Sequence, residues 1–325
     1  MRTIIHETFG EPEDVLTVQD RPLPEPGAGE VRIRTLLAAI HNHDLWTVRG
    51  SYGFKPDLPA RAGTEAVGIV DAVGEGVTGL TVGQRVASGG SFGAWAEYFT
   101  TPAAGLIPVP DAIGDGAAAQ LVSMPFSAIS LLHFLDLQPG DWLAQNAANG
   151  AVGRMVAQLG AARGLNVVGL VRRAAGVDEL ESQGIGNIVA TDADGWQDQV
   201  KAITGGAPIR AGVESLGGRA AGDLLGLLAE SGTLVAFGSM NSPILNLSAG
   251  DLIFKQAIVK GFWGAVVSRD MAPELKGELF RELIQRVLAG ELTLPVEATY
   301  SFDDVTDAVR ASLGVGRIGK VLLRP

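Results

Sequence analysis

A turn of small residues near the middle of the chain has the composition needed to hold phosphate groups. The segment AANGAVG, residues 147–153, follows a short apolar run from Trp142 to Gln145 and opens a helical pattern from Val152 to Ala162. Gly150 lets the backbone approach a pyrophosphate, and Gly153 lets the helix pack closely against the preceding strand. The start of the helix adds free N–H groups and a partial positive charge. The segment therefore predicts a site for a dinucleotide.

The same turn departs from the usual glycine-rich fingerprint at its first glycine, where Ala147 or Ala148 stands instead. A second apolar run, Asn166 to Val171, completes the strand–helix–strand unit that a dinucleotide site requires. The cofactor-binding residues predicted from this unit are Asn146, Asn149, Gly150, Ala151, Val152 and Gly153.

Two arginines at the end of the second apolar run indicate which dinucleotide is bound. An acid at this place holds the ribose 2′-OH of NAD, whereas an arginine accommodates the 2′-phosphate of NADP. The chain has Arg172 and Arg173 here and no acid before Asp178. A guanidinium can grip a phosphate with paired donors, and a carboxylate would repel it. We therefore expect NADPH, with two solvated loop arginines as the alternative.

Composition and charge limit the remaining possibilities. The chain has 325 residues, enough for two domains, and its hydrophobic and charged fractions of 46% and 19% are typical of a well-cored globular protein. A net charge of −11 argues against nucleic acid or anionic membranes as partners. The absence of cysteine excludes disulfides, thiolate catalysis and cysteine-ligated metals. No apolar run approaches the about 18 residues of a membrane span, so we expect a cytoplasmic protein acting on a small molecule.

The pattern along the chain predicts an α/β protein with a β-rich first part. Up to about residue 120, short apolar runs alternate with Gly, Pro and Asp turns. A helix is expected from Ala117 to Leu137, and beyond it strands alternate with helices, which implies a parallel sheet covered on both faces. The expected strand centres are Val168, Ile188, Val213, Leu234 and Ile258.

Several segments resemble the medium-chain dehydrogenase/reductase superfamily, in the order expected for that superfamily. They are GTEAVGIVDAVGEGV (Gly63 to Val77), VGQRV (Val82 to Val86), WAEY (Trp95 to Tyr98) and GRIGKVLL (Gly316 to Leu323). The resemblance implies a GroES-like β-rich catalytic domain, residues 1–120 and 265–325, and a Rossmann NADPH-binding domain with a doubly wound parallel sheet, residues 121–264. It also implies a homodimer.

The resemblance raises the question of a catalytic zinc ion. Zinc-dependent members carry a cysteine, a histidine within G-H-E and a third ligand, whereas this chain has His41, Thr64 and no cysteine. Since a catalytic zinc needs three protein ligands and an open position, we expect no metal. His41 and His43 are left as cleft-lining or hydrogen-bonded turn residues, Asp44 as a helix cap, and Glu65 as a structural residue paired with an arginine.

Within the superfamily, three segments resemble the zinc-free 2-enoyl thioester reductases: QNAANGAVG, IFKQAIVKGFW and RGSYGFKP. The last implies that Tyr52 is the catalytic residue, although the usual N-P-S-D that precedes it is HNHD here, which leaves the substrate pocket open. By the same resemblance, and because ligands bind beyond the carboxyl ends of parallel strands, further cofactor-lining residues are expected at Ser127, Gly238, Phe262 and Trp263. For the last two, packing at a subunit contact is the alternative.

The resemblance implies that NADPH-dependent hydride transfer reduces the activated C=C bond of a trans-2-enoyl thioester carried by CoA or an acyl-carrier protein. A phenol is a hydrogen-bond donor at neutral pH, so Tyr52 is expected to stabilise the negative charge on the thioester oxygen or to help protonate the α-carbon. The alternatives are a quinone or alkenal reductase, an alcohol dehydrogenase homologue, and a non-catalytic dinucleotide-binding protein.

Overall fold

The computed structural model of the protein describes residues 1–314 and 316–325. Its strands, in chain order, are β1 (Arg2–His6), β2 (Leu16–Asp20), β3 (Glu30–Ala39), β4 (Ala60–Arg61), β5 (Glu65–Val73), β6 (Arg85–Gly89), β7 (Tyr98–Pro102), β8 (Leu106–Pro108), β9 (Trp142–Gln145), β10 (Asn166–Val171), β11 (Ile188–Ala190), β12 (Ile209–Glu214), β13 (Thr233–Ala236), β14 (Ile258–Gly261), β15 (Val296–Ser301) and β16 (Lys320–Arg324).

The helices of the same residues are α1 (Pro12–Val15), α2 (Asn42–Arg49), α3 (Asp115–Ala118), α4 (Ser123–Leu135), α5 (Ala151–Ala162), α6 (Ala174–Glu181), α7 (Trp196–Thr204), α8 (Arg219–Leu227), α9 (Ala249–Phe254), α10 (Gly264–Asp270), α11 (Pro273–Leu288) and α12 (Val305–Leu313). Within the described part of the chain, no helix is long and apolar enough to cross a membrane.

The chain forms two compact units. Unit 1 contains Met1–Met124 and Thr293–Pro325, and unit 2 contains Pro125–Leu292. The first unit is discontinuous in sequence, whereas the second is one contiguous segment.

The second division between the units lies later than the sequence suggested, because α10 and α11 belong to unit 2. On α11, Phe280 stacks on Phe126 with ring centroids 4.4 Å apart. Glu282 of the same helix accepts hydrogen bonds from Arg163 at 2.8 and 3.0 Å. These contacts fix α11 to α4 and to the end of α5. They are side-chain contacts between segments far apart in sequence, which a composition pattern does not reveal.

Unit 2 is built on a parallel sheet with the strand order β11-β10-β9-β12-β13-β14 in the described residues. The expected strand centres all fall within β10 to β14. Strands β9 to β13 are short runs of mostly buried apolar residues, with Ala144, Val168 and Leu234 wholly inaccessible. From β9 the chain first builds outward through β10 and β11, and then returns to build the other side from β12. The point of reversal therefore lies between β9 and β12, where a doubly wound sheet opens a crevice.

Unit 1 holds two sheets, of which the larger has β3 at its centre and β5 and β16 on either side of it. The ring of Trp95 lies at 0% exposure in the core, and its Nε1 donates a hydrogen bond to the carbonyl of Ala39 at 3.0 Å. Gly63 has φ +87°, and a Cβ there would lie 2.1 Å from that ring. Glycine is therefore required at the first position of the GTEAVG segment by both conformation and space.

The helix expected from Ala117 to Leu137 is divided in two. Helix α3 ends at Ala118, and α4 begins at Ser123. The backbone N–H groups of Val122 and Ser123 donate to a carboxylate oxygen of Glu65 at 2.6 and 3.0 Å. This distant side chain satisfies N–H groups at the new helix start, so the interruption arises from tertiary structure rather than from the local sequence.

Candidate functional site

The turn between β9 and α5 in unit 2 is tightly folded. Strand β9 ends at Gln145, and α5 begins after Gly150. Ala147 has φ +51°, so it occupies the left-handed conformation in which the first glycine of the fingerprint is expected. A Cβ on Gly153 would lie 2.7 Å from the carbonyl oxygens of Ala147 and Ala148. The glycine therefore permits the close packing of helix on turn that was inferred from the sequence.

The other predicted residues of this turn differ in exposure. Asn146 is buried at 4%, and Gly153 is buried against the turn. The residues that remain wholly or partly exposed, and so available to a ligand, are Asn149, Gly150, Ala151 and Val152.

A hydrogen-bonded pair joins the two loops on either side of the point of reversal. Asn146, directly after β9, donates from Nδ2 to Oε1 of Glu214 at 3.0 Å, and its Oδ1 accepts from the N–H of Ser215 at 2.8 Å. The same Glu214 oxygen accepts from the N–H groups of Leu216 and Gly217 at 2.7 and 2.6 Å. The pair therefore holds the ends of β9 and β12 in fixed register beside the crevice.

Glu214 is a residue that the sequence reasoning missed. It lies at 0% exposure at the carboxyl end of β12, and its Oε2 has no hydrogen-bond partner among the described residues. The available signal was a single acid directly after the apolar residues Ala211, Gly212 and Val213, at the carboxyl end of a strand beside the point of reversal, where a doubly wound fold places its ligand.

Arg172 and Arg173 lie where the fingerprint places the adenosine ribose, directly after β10. Both side chains are exposed, and in the part of the chain that the structure describes neither forms an ion pair. Two guanidinium groups are thus available at the carboxyl end of this strand.

Ser127 and Gly238, which were predicted to line the cofactor, lie outside the turn between β9 and α5 but within unit 2. Ser127 is in α4, and a Cβ built on Gly264 would lie 2.8 Å from its Oγ, so α4 and the start of α10 approach closely here. Gly238 follows β13, and a Cβ there would lie 3.0 Å from the carbonyl oxygen of Ser215. Gly238 therefore packs against the loop that Asn146 and Glu214 hold.

The remaining two aromatic residues differ from each other. Phe262 is 6% exposed, with Phe134 edge-on at 5.5 Å and Phe237 stacked at 5.8 Å between ring centroids. Trp263, the next residue, is 49% exposed and precedes α10. Phe262 is thus a packing residue within unit 2, whereas Trp263 presents a surface to solvent.

In unit 1, polar side chains at the starts of α2 and β5 and directly before them form a second group, which we term the histidine cluster: His41, His43, Asp44, Thr64 and Glu65. Asp44 caps α2, since its Oδ2 accepts from the N–H of His41 at 2.9 Å. Thr64 donates from its hydroxyl to Oδ1 of Asp44 at 2.7 Å. Nε2 of His43 lies 2.7 Å from the same hydroxyl oxygen. The cap expected at Asp44 is therefore present, and it also anchors a line of hydrogen bonds.

His41 and Glu65 form the buried half of the cluster, and both side chains have 0% exposure. Nε2 of His41 lies 2.5 Å from Oε2 of Glu65, so the predicted pairing of Glu65 with an arginine is wrong. Burial, partly offset by the two backbone N–H donors, raises the pKa of Glu65 to about 7. Burial, reinforced by the charge of Lys320, holds the pKa of His41 well below its usual range. Below about pH 7 this pair therefore holds its proton on the carboxyl side.

Tyr52 lies beside the outer half of the cluster. Gly50 ends α2 with φ +72°, and the N–H groups of Ser51 and Tyr52 both donate to the carbonyl of Trp46. This reversal brings the partly exposed Tyr52 ring to 5.9 Å from the ring of His43, centroid to centroid. The predicted catalytic tyrosine and one of the two unassigned histidines are thus neighbours within unit 1.

The cluster differs from a metal centre in its connections. Nε2 of His41 is engaged by a carboxylate, and His43 by a hydroxyl. Among residues 1–314 and 316–325, no group of three His, Asp or Glu side chains is arranged to hold a metal ion.

Comparison with known proteins places both units in established families. Residues 27–111 match the family model "Alcohol dehydrogenase GroES-like domain", and residues 151–279 match "Zinc-binding dehydrogenase". The mitochondrial enoyl-[acyl-carrier-protein] reductase of Homo sapiens is 33% identical over 320 residues, which cover 96% of this chain and 86% of the human protein. The enzyme of the same name from Arabidopsis thaliana is 32% identical over 268 residues, covering 81% of this chain and 72% of its own length.

Solved structures of similar fold are named as quinone oxidoreductases. A mycobacterial quinone oxidoreductase has a TM-score of 0.89 at 28% identity, with 100% of both chains covered. The quinone oxidoreductase of Escherichia coli, solved in complex with NADPH, has a TM-score of 0.90 at 25% identity over 100% of both chains.

Proposed function

Because this chain belongs to the medium-chain dehydrogenase/reductase superfamily, in its zinc-free branch, we propose that it reduces the activated C=C bond of a trans-2-enoyl thioester with NADPH. The observation that carries the proposal is the similarity, over 96% of the chain, to enoyl-[acyl-carrier-protein] reductases. The chemistry of the site supports it, since a C=C bond conjugated to a thioester needs a hydride, a hydrogen-bond donor for the oxygen and a proton, but no metal ion.

The residues present in unit 2 fit NADPH. Gly153 lets α5 start close to the turn, because a Cβ there would lie 2.7 Å from two carbonyl oxygens. Gly150 is the N-cap of α5, and the N–H groups of the first helical turn have no acceptor within the helix and would face a pyrophosphate. Arg172 and Arg173 would hold the 2′-phosphate with paired donors. When bound, NADPH supplies the hydride that the β-carbon of the substrate receives.

Tyr52 is proposed as the residue that stabilises the developing charge. As the β-carbon is reduced, negative charge moves to the thioester oxygen, and a phenol hydroxyl placed there donates a hydrogen bond to it. In the described residues the Tyr52 hydroxyl has no hydrogen-bond partner of its own, so it is available to the substrate.

A quinone reductase is the second candidate, and the two solved quinone oxidoreductases support it. Quinones also accept a hydride without a metal, but the reduced product takes its protons on oxygen. The ratio of kcat/KM on crotonyl-CoA and on a 1,4-quinone separates the two functions, because discrimination between substrates is that ratio.

The proposal is tested by assaying NADPH oxidation with crotonyl-CoA and a longer enoyl-CoA in the wild type and in Tyr52→Phe. Removing one donor to an oxyanion costs roughly 10²–10³ in kcat. Tyr300→Phe, which removes a hydroxyl from β15 of the same unit, is the matched control and should keep full activity. Wild-type protein that reduces quinones and no enoyl thioester would reject the thioester proposal. Full activity of Tyr52→Phe would reject only the role of Tyr52.

We further propose a homodimer joined through β14. This strand is the edge of the parallel sheet in the described residues, and all four of its residues are exposed. Shortly before this strand in the sequence, α9 also exposes two apolar side chains, Ile253 at 66% and Phe254 at 84%. Light scattering should give a dimer for the wild type, and Val259→Lys on β14 should give a monomer, since a charge on an edge strand opposes pairing. An unchanged dimer would place the interface elsewhere.

A cytoplasmic location stays a prediction. The relatives from Homo sapiens and Arabidopsis thaliana are named as mitochondrial enzymes. Fractionation of cells that express the protein would distinguish the two compartments.

A further inference from the structure

We propose that His43 is a second catalytic residue, which donates the proton that the α-carbon of the enoyl thioester takes up. This inference rests on the proposed function and assigns a role to a residue that the resemblance leaves without one. It depends on three observations: the hydrogen bonds that orient the His43 ring, the nitrogen that those bonds leave open, and the position of the ring beside Tyr52.

The first observation is the line of hydrogen bonds from Asp44 through Thr64 to His43. A carboxylate only accepts, so the Thr64 hydroxyl donates its proton to Asp44, at 2.7 Å. The hydroxyl oxygen can then only accept from His43, and Nε2 of His43, at 2.7 Å, must carry a proton. A carboxylate that orients an acid–base histidine through hydrogen bonds is a recurrent arrangement in catalytic sites.

The second observation is that the other ring nitrogen is open. In the described part of the chain, Nδ1 of His43 has no hydrogen-bond partner, and it is not among the buried unpaired atoms. The side chain is 19% exposed. By contrast, His41 is wholly buried with its Nε2 engaged by Glu65. Of the two stacked histidines, His43 alone can exchange a proton with a ligand or with solvent.

The third observation is position. The ring of Tyr52 is 5.9 Å from the ring of His43, so a substrate whose thioester oxygen binds the Tyr52 hydroxyl brings its α-carbon into the same region. The α-carbon is bonded to the carbonyl carbon, so oxygen and α-carbon are separated by only two bonds. The two side chains therefore divide two tasks, charge stabilisation and proton donation.

Proton transfer from His43 completes the reduction without a further oxidant or reductant. Once the β-carbon has received its hydride, the electron pair of the enolate forms a new bond from the α-carbon to the Nδ1 proton of the His43 imidazolium. The N–H bond breaks, and its electron pair stays on Nδ1. His43 is left neutral with its Nε2 proton on Thr64, and water returns the Nδ1 proton after product release.

The experiment compares the wild type with His43→Gln in D₂O, with NADPH and crotonyl-CoA. Glutamine keeps an N–H donor for Thr64 but cannot act as an acid. We expect kcat to fall by roughly 10²-fold or more, the usual contribution of a general acid. We also expect the wild-type product to carry deuterium at the α-carbon in a single configuration. The product of the variant should contain both configurations, because water then delivers the deuterium to either face of the enolate. His133→Gln, an exposed histidine on α4, is the control and should match the wild type.

A second readout does not depend on turnover. Nitrogen-15 NMR of the free protein at a pH where His43 is neutral should show the proton on Nε2, and Thr64→Val should abolish that preference. A proton on Nδ1 in the wild type overturns the inference. A slower His43→Gln enzyme that retains a single α-carbon configuration also overturns it, and so does a wild type that gives both configurations. A wild type without enoyl reductase activity would instead reject the proposed function on which this rests.

Discussion

Replacing Glu65 with glutamine tests whether the folded protein raises the pKa of a buried carboxyl of the histidine cluster. Its pKa is raised by burial from 4.5 to about 7, so the unfolded chain loses this proton first. Between these two pH values the folded state holds the extra proton, and the free energy of unfolding must fall as pH rises. One pKa unit is worth about 1.4 kcal/mol, so the whole window is worth on the order of 3 kcal/mol.

Glutamine has the shape of the protonated carboxyl group but does not ionise. Its oxygen can accept from the N–H groups of Val122 and Ser123, and its amide can donate to Nε2 of His41. Urea unfolding of both proteins at pH 5.5 and pH 8 gives the required free energies. From pH 5.5 to pH 8, the free energy of unfolding of the variant should rise by about 2 kcal/mol relative to that of the wild type. This value corresponds to the part of the pKa shift that lies above pH 5.5. His41 titrates in both proteins, so its contribution largely cancels in the difference.

The exposed Glu75 supplies the control, since Glu75→Gln should shift stability by the same amount at both pH values. Free energies for Glu65→Gln that run parallel to those of the wild type from pH 5.5 to pH 8 would refute the argument. They would mean that the folded protein keeps this carboxylate ionised.

Three further predictions concern the turn between β9 and α5 and the two arginines after β10. Removing both guanidinium groups (Arg172→Ala with Arg173→Ala) should raise KM for NADPH roughly 10–100-fold and leave KM for NADH nearly unchanged. Arg281→Ala, which removes an exposed arginine of α11, is the control. An equal rise in KM for both nucleotides would contradict the prediction. Gly153→Ala places a Cβ 2.7 Å from two carbonyl oxygens, so the affinity for NADPH measured by calorimetry should fall. An unchanged affinity would mean that the turn shifts to accept the Cβ without cost. Ala147→Gly removes the backbone strain of a non-glycine residue at φ +51°. The variant should be more stable than the wild type by about 1 kcal/mol and should keep its affinity for NADPH. A lower melting temperature would show that the contacts of the alanine side chain outweigh the strain.

The parts of the fold that the sequence predicted are those set by local pattern. Strands β9 to β14 are mostly short buried apolar runs, and the turn before α5 follows from the types of its small residues. Superfamily membership and the NADPH-dependent activity were also identified correctly from motifs in the right order.

The parts that the sequence did not predict depend on partners far apart in the chain. Glu65 meets Val122 from 57 residues away, and Asn146 meets Glu214 from 68 residues away, so neither hydrogen bond has a local signature. The interruption of the expected helix before Ser123 follows from the first of these contacts. The assignment of α11 to unit 2 likewise follows from its packing on Phe126, which no window of neighbouring residues contains.

The place of β16 in the sheet of unit 1 has a consequence for the order in which a ribosome-bound chain can fold. This strand lies between β15 and β3, with Leu322 and Leu323 opposite Ala39 and Ala38. Unit 2 is one uninterrupted stretch, Pro125–Leu292, and is synthesised before any of β16. Ala38 and Ala39 of β3 therefore have no β16 partner during the synthesis of unit 2, whereas unit 2 can complete its own sheet. An emerging chain therefore leaves this side of β3 unpaired until residues 320–324 arrive, and an unpaired strand edge is a site of wrong pairing with other chains.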